Sequence, residues 1–359
     1  MTLPNSGVFI ESAALEISWR DSRRNLSELI FDTVKSAIDK ADKGLTGIDS
    51  VVLAAHDLVD GRSLSSMVTA PAAGAYLRDE IRYGDDGAGA FAAGVARIEA
   101  GESRRTIVAA WGRSSEHDVD AVSRCLFDPT FLRPFGLEEL HVSGMRAQAW
   151  ARHAGNLKGV ESARHKRNQA VARNPRSLRS GGFKSAPSYP LQAEDLPLWA
   201  DAVAAVIISN QSSAVRLAGL GQSSEAYWIG DRCLHRLTAL QQAANRGFDE
   251  ARCGVADIDI FEVDGLTIYD EAIALEAIGL AQPGNGLDAL ARDDRCNPSG
   301  GSAAGYCAPA MGLARVVEAV LQLTGAAGAN QIGSPRRAIA TGSSIVAMQT
   351  QTAVILEAA

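Results

Sequence analysis

The chain has 359 residues, 46% hydrophobic and 21% charged, which is enough for two α/β layers with buried cores. A formal charge of -7 supplies no basic field for a polyanion, and 6% aromatic residues are too few for a base-stacking surface, so the balance argues against nucleic-acid binding. The five cysteines, Cys125, Cys233, Cys253, Cys296 and Cys307, form no CxxC pair and no zinc spacing, and their odd number argues against a disulfide framework.

Met1–Gly7 lacks a basic region followed by an apolar core, and no apolar run approaches the ~20 residues of a membrane span. The expectation is a cytoplasmic protein with reduced thiols, no membrane association and no bound metal. "GVFIESAALEIS" (7–18) alternates as a strand, and "NLSELIFDTVKSAIDKADK" (25–43) places Leu26, Leu29, Ile30, Val34 and Ile38 at helical spacing. "IDSVVLAAH" (48–56) reads as a buried strand, "GAGAFAAGVARIEAG" (87–101) as a small-residue helix ended by Gly101, and "RRTIVAAWGRSS" (104–115) as another strand. This alternation favours a covered, largely parallel sheet.

From 121 to about 195 the pattern weakens into a helix over about 143–154, a basic Asn-containing stretch and the turn-rich "SGGFKSAPSYPLQAEDLP". "ADAVAAVIISN" (200–210) is again a buried strand. The alternation resumes with "SSEAYWIGD", a helix around 233–246, "IDIFEVDG" and "IYDEAIALEAIGL". "GLARVVEAVLQLTG" (312–325) reads as a helix, and "RRAIATGSS" and "QTAVILEA" as closing strands. Two α/β halves follow one another, each ending in a strand pair, with no short-period repeat.

Four stretches stand out chemically. "GDDGAGAF" (84–91) is a glycine turn feeding a helix, whose free N–H groups and dipole suit a thiolate, a phosphate or an oxyanion, yet it offers Asp85 and Asp86 and no nucleophile. Both acids equally suit helix caps. "CNPSGGSAAGYCAPAMG" (296–312) lets backbone pass close to a ligand or another strand at its glycines and sets Tyr306 in the loop, as an acid/base group or as a hydrogen-bonded core residue. "ESARHKRNQAVARNPRSLRSGGFK" (161–184) gathers Arg164, Lys166, Arg167, Arg173, Arg176, Arg179 and Lys184, either a phosphate-attracting patch or a solvated loop. "IFEVDGLTIYDEA" (260–272) puts Glu262 and Asp264 at a strand end, where α/β sheets place their sites, although Asp264 also suits a helix cap.

Taken together, these stretches resemble the thiolase superfamily, and within it the lipid-transfer-protein-like, sterol-carrier-type branch. "NPSGG" and the helix "GLARVVEAVLQLTG" resemble the family's Asn-x-x-Gly-Gly segment and Gly-His-Pro loop. "RHKRNQAVARNP" resembles its loop-domain signature, "WADAVAAVIIS" its Ser-Asp-Gly-Ala strand, and "IDIFEVDGLT" its Glu-x-His-Asp-Ala-Phe strand.

The resemblance implies an α/β fold of two similar βαβαβαββ halves in five layers (α-β-α-β-α), with residues 1–212 as the first half, 121–196 as an inserted loop domain, and 213–359 as the second. It implies a coenzyme A thioester as substrate or ligand rather than a permanent cofactor. The binding groups would be Arg164, Lys166, Arg167 and Asn168 of the loop signature and Asn297, Gly300 and Gly301 of the glycine loop. It further implies a homodimer, or a heterodimer with another thiolase-like subunit, and a small zinc-ribbon/OB-fold partner.

The chemistry departs from the family. The position of the acylated Cys falls on Gly84, the His of the Gly-His-Pro loop on Tyr306, the polar His of the Glu-x-His-Asp segment on Asp264, and the second Cys on Ala347. Acyl-enzyme chemistry therefore has no nucleophile. One reading is a cysteine-independent carbon–carbon lyase that cleaves a β-hydroxyacyl-CoA by retro-aldol chemistry, with Tyr306, Asp264, Asp85 and Asp86 as the available groups and either Tyr306 or Asp264 as base. The alternatives are a catalytically inactive subunit that scaffolds an active thiolase, and an acyl-CoA or lipid carrier.

Overall fold

The structure is a computed structural model that describes residues 7–21, 23–62, 64, 66–155 and 159–359. The segment Met1–Ser6, read above for a leader, lies outside the described residues. The first half runs β1 (Phe9–Ser18), α1 (Leu26–Lys40), β2 (Ser50–Ala54), the single turns α2 (Asp57–Asp60) and α3 (Ser66–Thr69), β3 (Asp79–Tyr83), α4 (Gly87–Glu99) and β4 (Arg105–Arg113). Then α5 (Val119–Leu126), α6 (Glu139–Ala154) and α7 (Val160–Arg173) precede β5 (Asp201–Ser209). The second half runs β6 (Val215–Ser224), α8 (Thr238–Ala251), β7 (Ile260–Glu262), α9 (Ile268–Ala277), α10 (Gly286–Arg292), α11 (Met311–Leu323), β8 (Arg337–Ser343) and β9 (Thr350–Ala358).

Local sequence explains most of these elements. In α1 a capping box between Asn25 and Glu28 closes the amino end, and the apolar stripe Leu26, Leu29, Ile30 and Val34 is buried. The basic stretch expected as a loop is instead the helix α7. Its residues are good helix formers, and it buries Ala163, Arg164, Arg167 and Ala170 on one face although their pattern is not apolar. The helix expected from about 143 starts at Glu139, and "SSEAYWIGD" is the end of β6 followed by irregular chain.

Among the described residues the strands form one sheet in the order β3-β2-β4-β5-β1-β6-β9-β8-β7. Pairing is parallel for β2/β3, β2/β4 and β7/β8 and antiparallel elsewhere, so the sheet is mixed and not largely parallel. The connections through α1, α4, α8 and α11 are helical crossovers between parallel strands, whereas β5 and β9 return beside their predecessors in the opposite sense. The order β2-β4-β5-β1 repeats as β7-β8-β9-β6, and a parallel bridge between Phe261 and Cys296 stands where β3 lies in the first half. No helix among the described residues is long and apolar enough to cross a membrane.

Helices α4 and α11 lie between the two half-sheets, α1 covers the outer face of the first, and α8 that of the second, which gives five layers. The layers approach closely at glycines. A Cβ on Gly87 would sit 2.6 Å from Leu313 Cβ, so α4 and α11 cross at Gly87. At the same crossing, a Cβ on Gly312 or Gly342 would overlap the Asp86 carboxylate.

Gly312→Ala is therefore expected to destabilise the protein by about 3 kcal/mol or to prevent folding. Gly84→Ala, at an exposed position with open space around it, should stay within about 0.5 kcal/mol of wild type. Urea unfolding followed by circular dichroism measures both, and equal midpoints for the two variants would contradict the packing described.

Candidate functional site

The mouth of α4 is occupied by the chain itself. Asp86 is the N-cap, and its Oδ2 accepts a hydrogen bond from Ala88 N at 2.8 Å. Its Oδ1 accepts from Gly312 N, in the first turn of α11, at 2.9 Å. One buried carboxylate thus serves the amino ends of both central helices, where the two dipoles converge. Burial first, then the charges of Asp264 and Asp85, push its pKa well above the usual carboxylate range. Asp85 accepts from Ile345 N at 2.8 Å and ties this turn to the loop before β9, and burial raises its pKa as well.

A cleft enclosing about 600 Å³ of empty space opens beside this crossing. Its walls are largely apolar, with Val119, Val122 and Leu126 from α5 facing Leu266, Ile345 and Met348. Asp264 and Tyr306 are both in its lining. Asp85 and Asp86, expected as proton-transfer groups, are not in it: both oxygens of Asp86 accept from helix-start N–H groups, and Asp85 Oδ1 accepts from Ile345 N in the loop before β9.

The glycine-rich loop positions the site from behind. Asn297 takes a left-handed φ of 41° and clamps the Val263 peptide, accepting from its N–H at 2.7 Å and donating to its carbonyl at 3.2 Å. Ser299 donates to both oxygens of buried Glu262, through N at 3.0 Å and Oγ at 2.7 Å. Arg315 of α11 completes the cluster, reaching Glu262 at 3.2 Å, Ser299 Oγ at 2.6 Å and the Gly301 carbonyl at 3.2 Å. Glu262 is pushed up to about 7 by burial, against the pull of Arg315. These contacts fix the backbone on both sides of residue 263 and so aim Asp264.

Asp264 is 3% exposed, and its Oδ1 has no hydrogen-bond partner among the described residues. Burial raises its carboxyl to about 6, with the Arg315 guanidinium and a Ser343 hydrogen bond opposing the rise. Tyr306 is held by backbone bonds, N to the Leu198 carbonyl at 2.7 Å and its own carbonyl from Ala200 N at 2.9 Å, and its ring meets Trp199 edge-on at 5.4 Å. Burial, then the negative fields of Asp264, Glu139, Asp86 and Asp270, hold its hydroxyl in the protonated form well above the ordinary tyrosine value.

Besides Cys307, two further titratable residues line the cleft, Glu139 and His117, and nothing in the sequence singles either out. Glu139 opens α6, where the expected helix had not begun; it accepts from Ala347 N at 2.6 Å, and burial raises it to about 7 against the pull of Arg146. His117, in "SSEHDVD", has its pKa lowered first by burial. A histidine between a strand end and a helix start is the signal that could have marked His117; Glu139, at a helix start after α5, carries no such signal. Ala347, at the register position of the second family cysteine, adopts a left-handed φ of 51°, and its carbonyl accepts from Arg146 and from Arg232, the latter at 2.8 Å.

The residues expected to hold coenzyme A divide. Arg164 pairs with buried Asp195 through two bonds of 2.8 Å, and Arg167 donates to the carbonyls of Glu194 and Leu196 at 3.1 and 3.2 Å, so both fasten α7 to the body. Lys166 donates to the Asp293 carbonyl and lines a second cavity of about 350 Å³ together with Arg167, Arg173 and Asn297. Asn168 is exposed. Gly300 and Gly301 have φ of 95° and 58° and lie against Val171 and Glu271, so their bare Cα atoms serve packing of the chain on itself.

Comparison with known proteins agrees with this geometry. Residues 221–358 match the family described as thiolase C-terminal domain-like. Chicken (Gallus gallus) sterol carrier protein 2 is 35% identical over 107 residues, 28% of this chain and 20% of that protein. An acetyl-CoA acetyltransferase of Methanothermobacter thermautotrophicus is 32% identical over 159 residues, 40% of this chain and 42% of the relative. Residues 221–358 thus carry a thiolase C-terminal-like domain, and the chain is similar to members of the thiolase superfamily. Within the superfamily it is similar to the sterol carrier protein 2 group, although it spans only about a fifth of the length of the chicken relative. Two solved structures share the thiolase fold over the whole chain. The Ltp2-ChsH2(DUF35) aldolase has a TM-score of 0.75 at 16% identity, covering 100% of this chain and 99% of that one. The monomeric SCP2-thiolase like protein type 1 of Mycobacterium smegmatis has 0.70 at 15%, covering 99% and 78%.

Against this thiolase-like background the buried Asp264 carboxylate should cost stability. Its folded pKa lies above the unfolded one, so the penalty is absent below the unfolded value of 3.8, grows as pH rises, and is complete above about 6. Asp264→Asn is therefore expected to stabilise the protein by on the order of 2 kcal/mol at pH ~8 and to lose that advantage near pH ~4. Urea unfolding of both proteins at the two pH values measures it, and a pH-independent difference would contradict the assignment.

Proposed function

We propose that the chain is a thiolase-like carbon–carbon lyase that needs no cysteine and cleaves β-hydroxyacyl-CoA thioesters by a retro-aldol reaction. The observation that carries this reading is the pair Asp264 and Tyr306 in one largely apolar cleft, the first with an unpaired carboxyl oxygen. Cys307, also in the cleft, is pushed up to about 12 by burial, which removes it as a thiolate nucleophile.

The two groups differ in the way the reaction needs. With Asp264 at about 6, a large fraction is ionised at neutral pH, so it accepts the proton of the substrate β-hydroxyl. The O–H electrons form the new carbonyl at Cβ, the Cα–Cβ bond breaks, and its electrons pass into the thioester as an enolate. Tyr306, held protonated, donates a hydrogen bond to that enolate and then its proton to Cα, releasing a shorter acyl-CoA and an aldehyde or ketone. The tyrosinate so formed is a far stronger base than the Asp264 carboxylate, so the proton taken from the β-hydroxyl returns to it and both groups are restored. No redox partner is required.

For the coenzyme, Arg173 is the freest cation of α7: it is exposed, lines the second cavity, and makes no ion pair among the described residues. Lys166 and Arg173 are assigned to the phosphates, with Arg164 and Arg167 as the supports that hold the helix. The name of the aldolase neighbour joins two components, and on that likeness the chain acts with a second subunit.

In cleavage assays of β-hydroxyacyl-CoA by the chain with its copurifying partner, Asp264→Asn and Tyr306→Phe are each expected to lower kcat by ~100-fold or more. In wild type, activity should rise with pH through about 6 as Asp264 ionises, with no alkaline fall until Tyr306 titrates. Wild-type turnover that neither variant impairs would remove these two residues from the mechanism. No turnover by any assembly, with copurification of a cysteine-bearing thiolase, would favour the non-catalytic subunit.

Arg173→Ala is expected to raise KM for the thioester ~3- to 10-fold with kcat unchanged, an effect that shrinks as salt is added. Steady-state kinetics at two ionic strengths measures it, and a change in kcat alone would contradict the phosphate assignment.

A further inference from the structure

Three polar atoms in the cleft have no hydrogen-bond partner among the described residues: Asp264 Oδ1, Glu139 Oε1 and His117 Nδ1. A buried unpaired polar atom costs roughly 1–3 kcal/mol, so three around one space mark a surface made to receive a polar ligand. The retro-aldol reading uses Asp264 on the β-hydroxyl and leaves the other two unexplained.

His117 and Asp264 enter the cleft from different halves of the chain, His117 between β4 and α5 and Asp264 after β7. The lining includes the apolar side chains of Val119, Val122 and Leu266. Nδ1 has no hydrogen-bond partner among the described residues, and in the Nε2–H tautomer of the neutral ring it presents a lone pair to a ligand. Burial favours the neutral ring, which keeps that lone pair free. Such a group accepts from a hydroxyl and gains nothing from an alkyl chain or a carbonyl oxygen.

We propose that His117 is a specificity-determining residue: it accepts a hydrogen bond from a hydroxyl on the fragment beyond Cβ, so that the cleft selects β-hydroxyacyl thioesters carrying a second hydroxyl on an otherwise apolar acyl chain. Glu139, at the same wall, offers a further acceptor to that hydroxyl or to a neighbouring one. The proposal rests on the lyase reading for its substrate, but the recognition it describes is a binding property that can be measured without turnover.

The test uses matched CoA thioesters, a β-hydroxyacyl series from hexanoyl to dodecanoyl and the same series bearing a terminal hydroxyl. Binding to the full chain is measured by titration calorimetry, and cleavage is followed separately. At one or more chain lengths wild type should bind the hydroxylated member at least tenfold more tightly than its partner. In His117→Phe the ratio should fall to near one. His117→Gln, which keeps an acceptor, should restore part of it and stands in for the Phe variant if that variant does not fold. Equal binding of the two series at every length, or a preference that survives His117→Phe, would overturn the proposal. Preference without cleavage would sink the lyase reading and leave recognition by His117 standing, and cleavage without preference would do the reverse.

Discussion

The carboxylate of Asp86 is the point on which the two halves are joined. Four N–H groups at the start of each helix lack partners within the helix, and here two helices of separate halves point their starts at one buried place. Asp86 satisfies one N–H from each, Ala88 from α4 and Gly312 from α11. The space for that carboxylate exists only because residues 312 and 342 have no side chain. A thiolase-type nucleophile would draw on the same convergent dipoles. In this chain the group that meets them is the internal Asp86 carboxyl, and Gly84, the register position of the missing cysteine, is exposed.

A second layer of buried charge makes the cleft on the far side of that crossing. Arg315 projects from α11 into Glu262 and Ser299, and the same guanidinium acts on Asp264. Asn297 holds the intervening peptide of Val263 by both of its polar atoms. The "NPSGG" segment is therefore a brace behind the site. Its glycines admit Val171 and Glu271 at close range, and its asparagine and serine set the path of the strand end that carries Asp264.

Much of the fold could be read from the chain, because buried strands such as "AVAAVIIS" and the stripe of α1 carry periodicity that burial imposes. The short strand β3 and the helix α7 escaped, the first because "DEIRY" is polar at the sheet edge, the second because its buried face includes two arginines, of which Arg164 pairs with Asp195, 31 residues away in sequence. At the site, Tyr306 and Asp264 were visible as unusual residues in a family-like register. Glu139 and His117 were not, since only the packing of α5 and α6 against the second half turns an ordinary helix-start acid and a loop histidine into cleft residues. A cap could also not be told from a catalytic acid at Asp85 and Asp86, since the sequence does not say which N–H groups face each oxygen; in the fold Asp86 caps two helices and Asp85 ties a loop.

That last distinction separates the buried carboxyls of this protein. Asp86 and Glu262 are both pushed up by burial, yet each has both oxygens engaged by donors, and neither lines the cleft. Asp264 and Glu139 are raised for the same physical reason, but each keeps one oxygen without a hydrogen bond among the described residues, that of Glu139 lying 3.8 Å from the Arg146 guanidinium, and both line the cleft. A raised pKa alone marks burial; a raised pKa with an unsatisfied atom at a cavity wall marks a group whose partner arrives from outside. A fold optimised only for stability would pair or replace such groups. Their presence in the lining of one cleft, with His117 whose Nδ1 has no hydrogen-bond partner among the described residues, is the physical argument that the cleft receives a ligand richer in donors than a simple acyl chain.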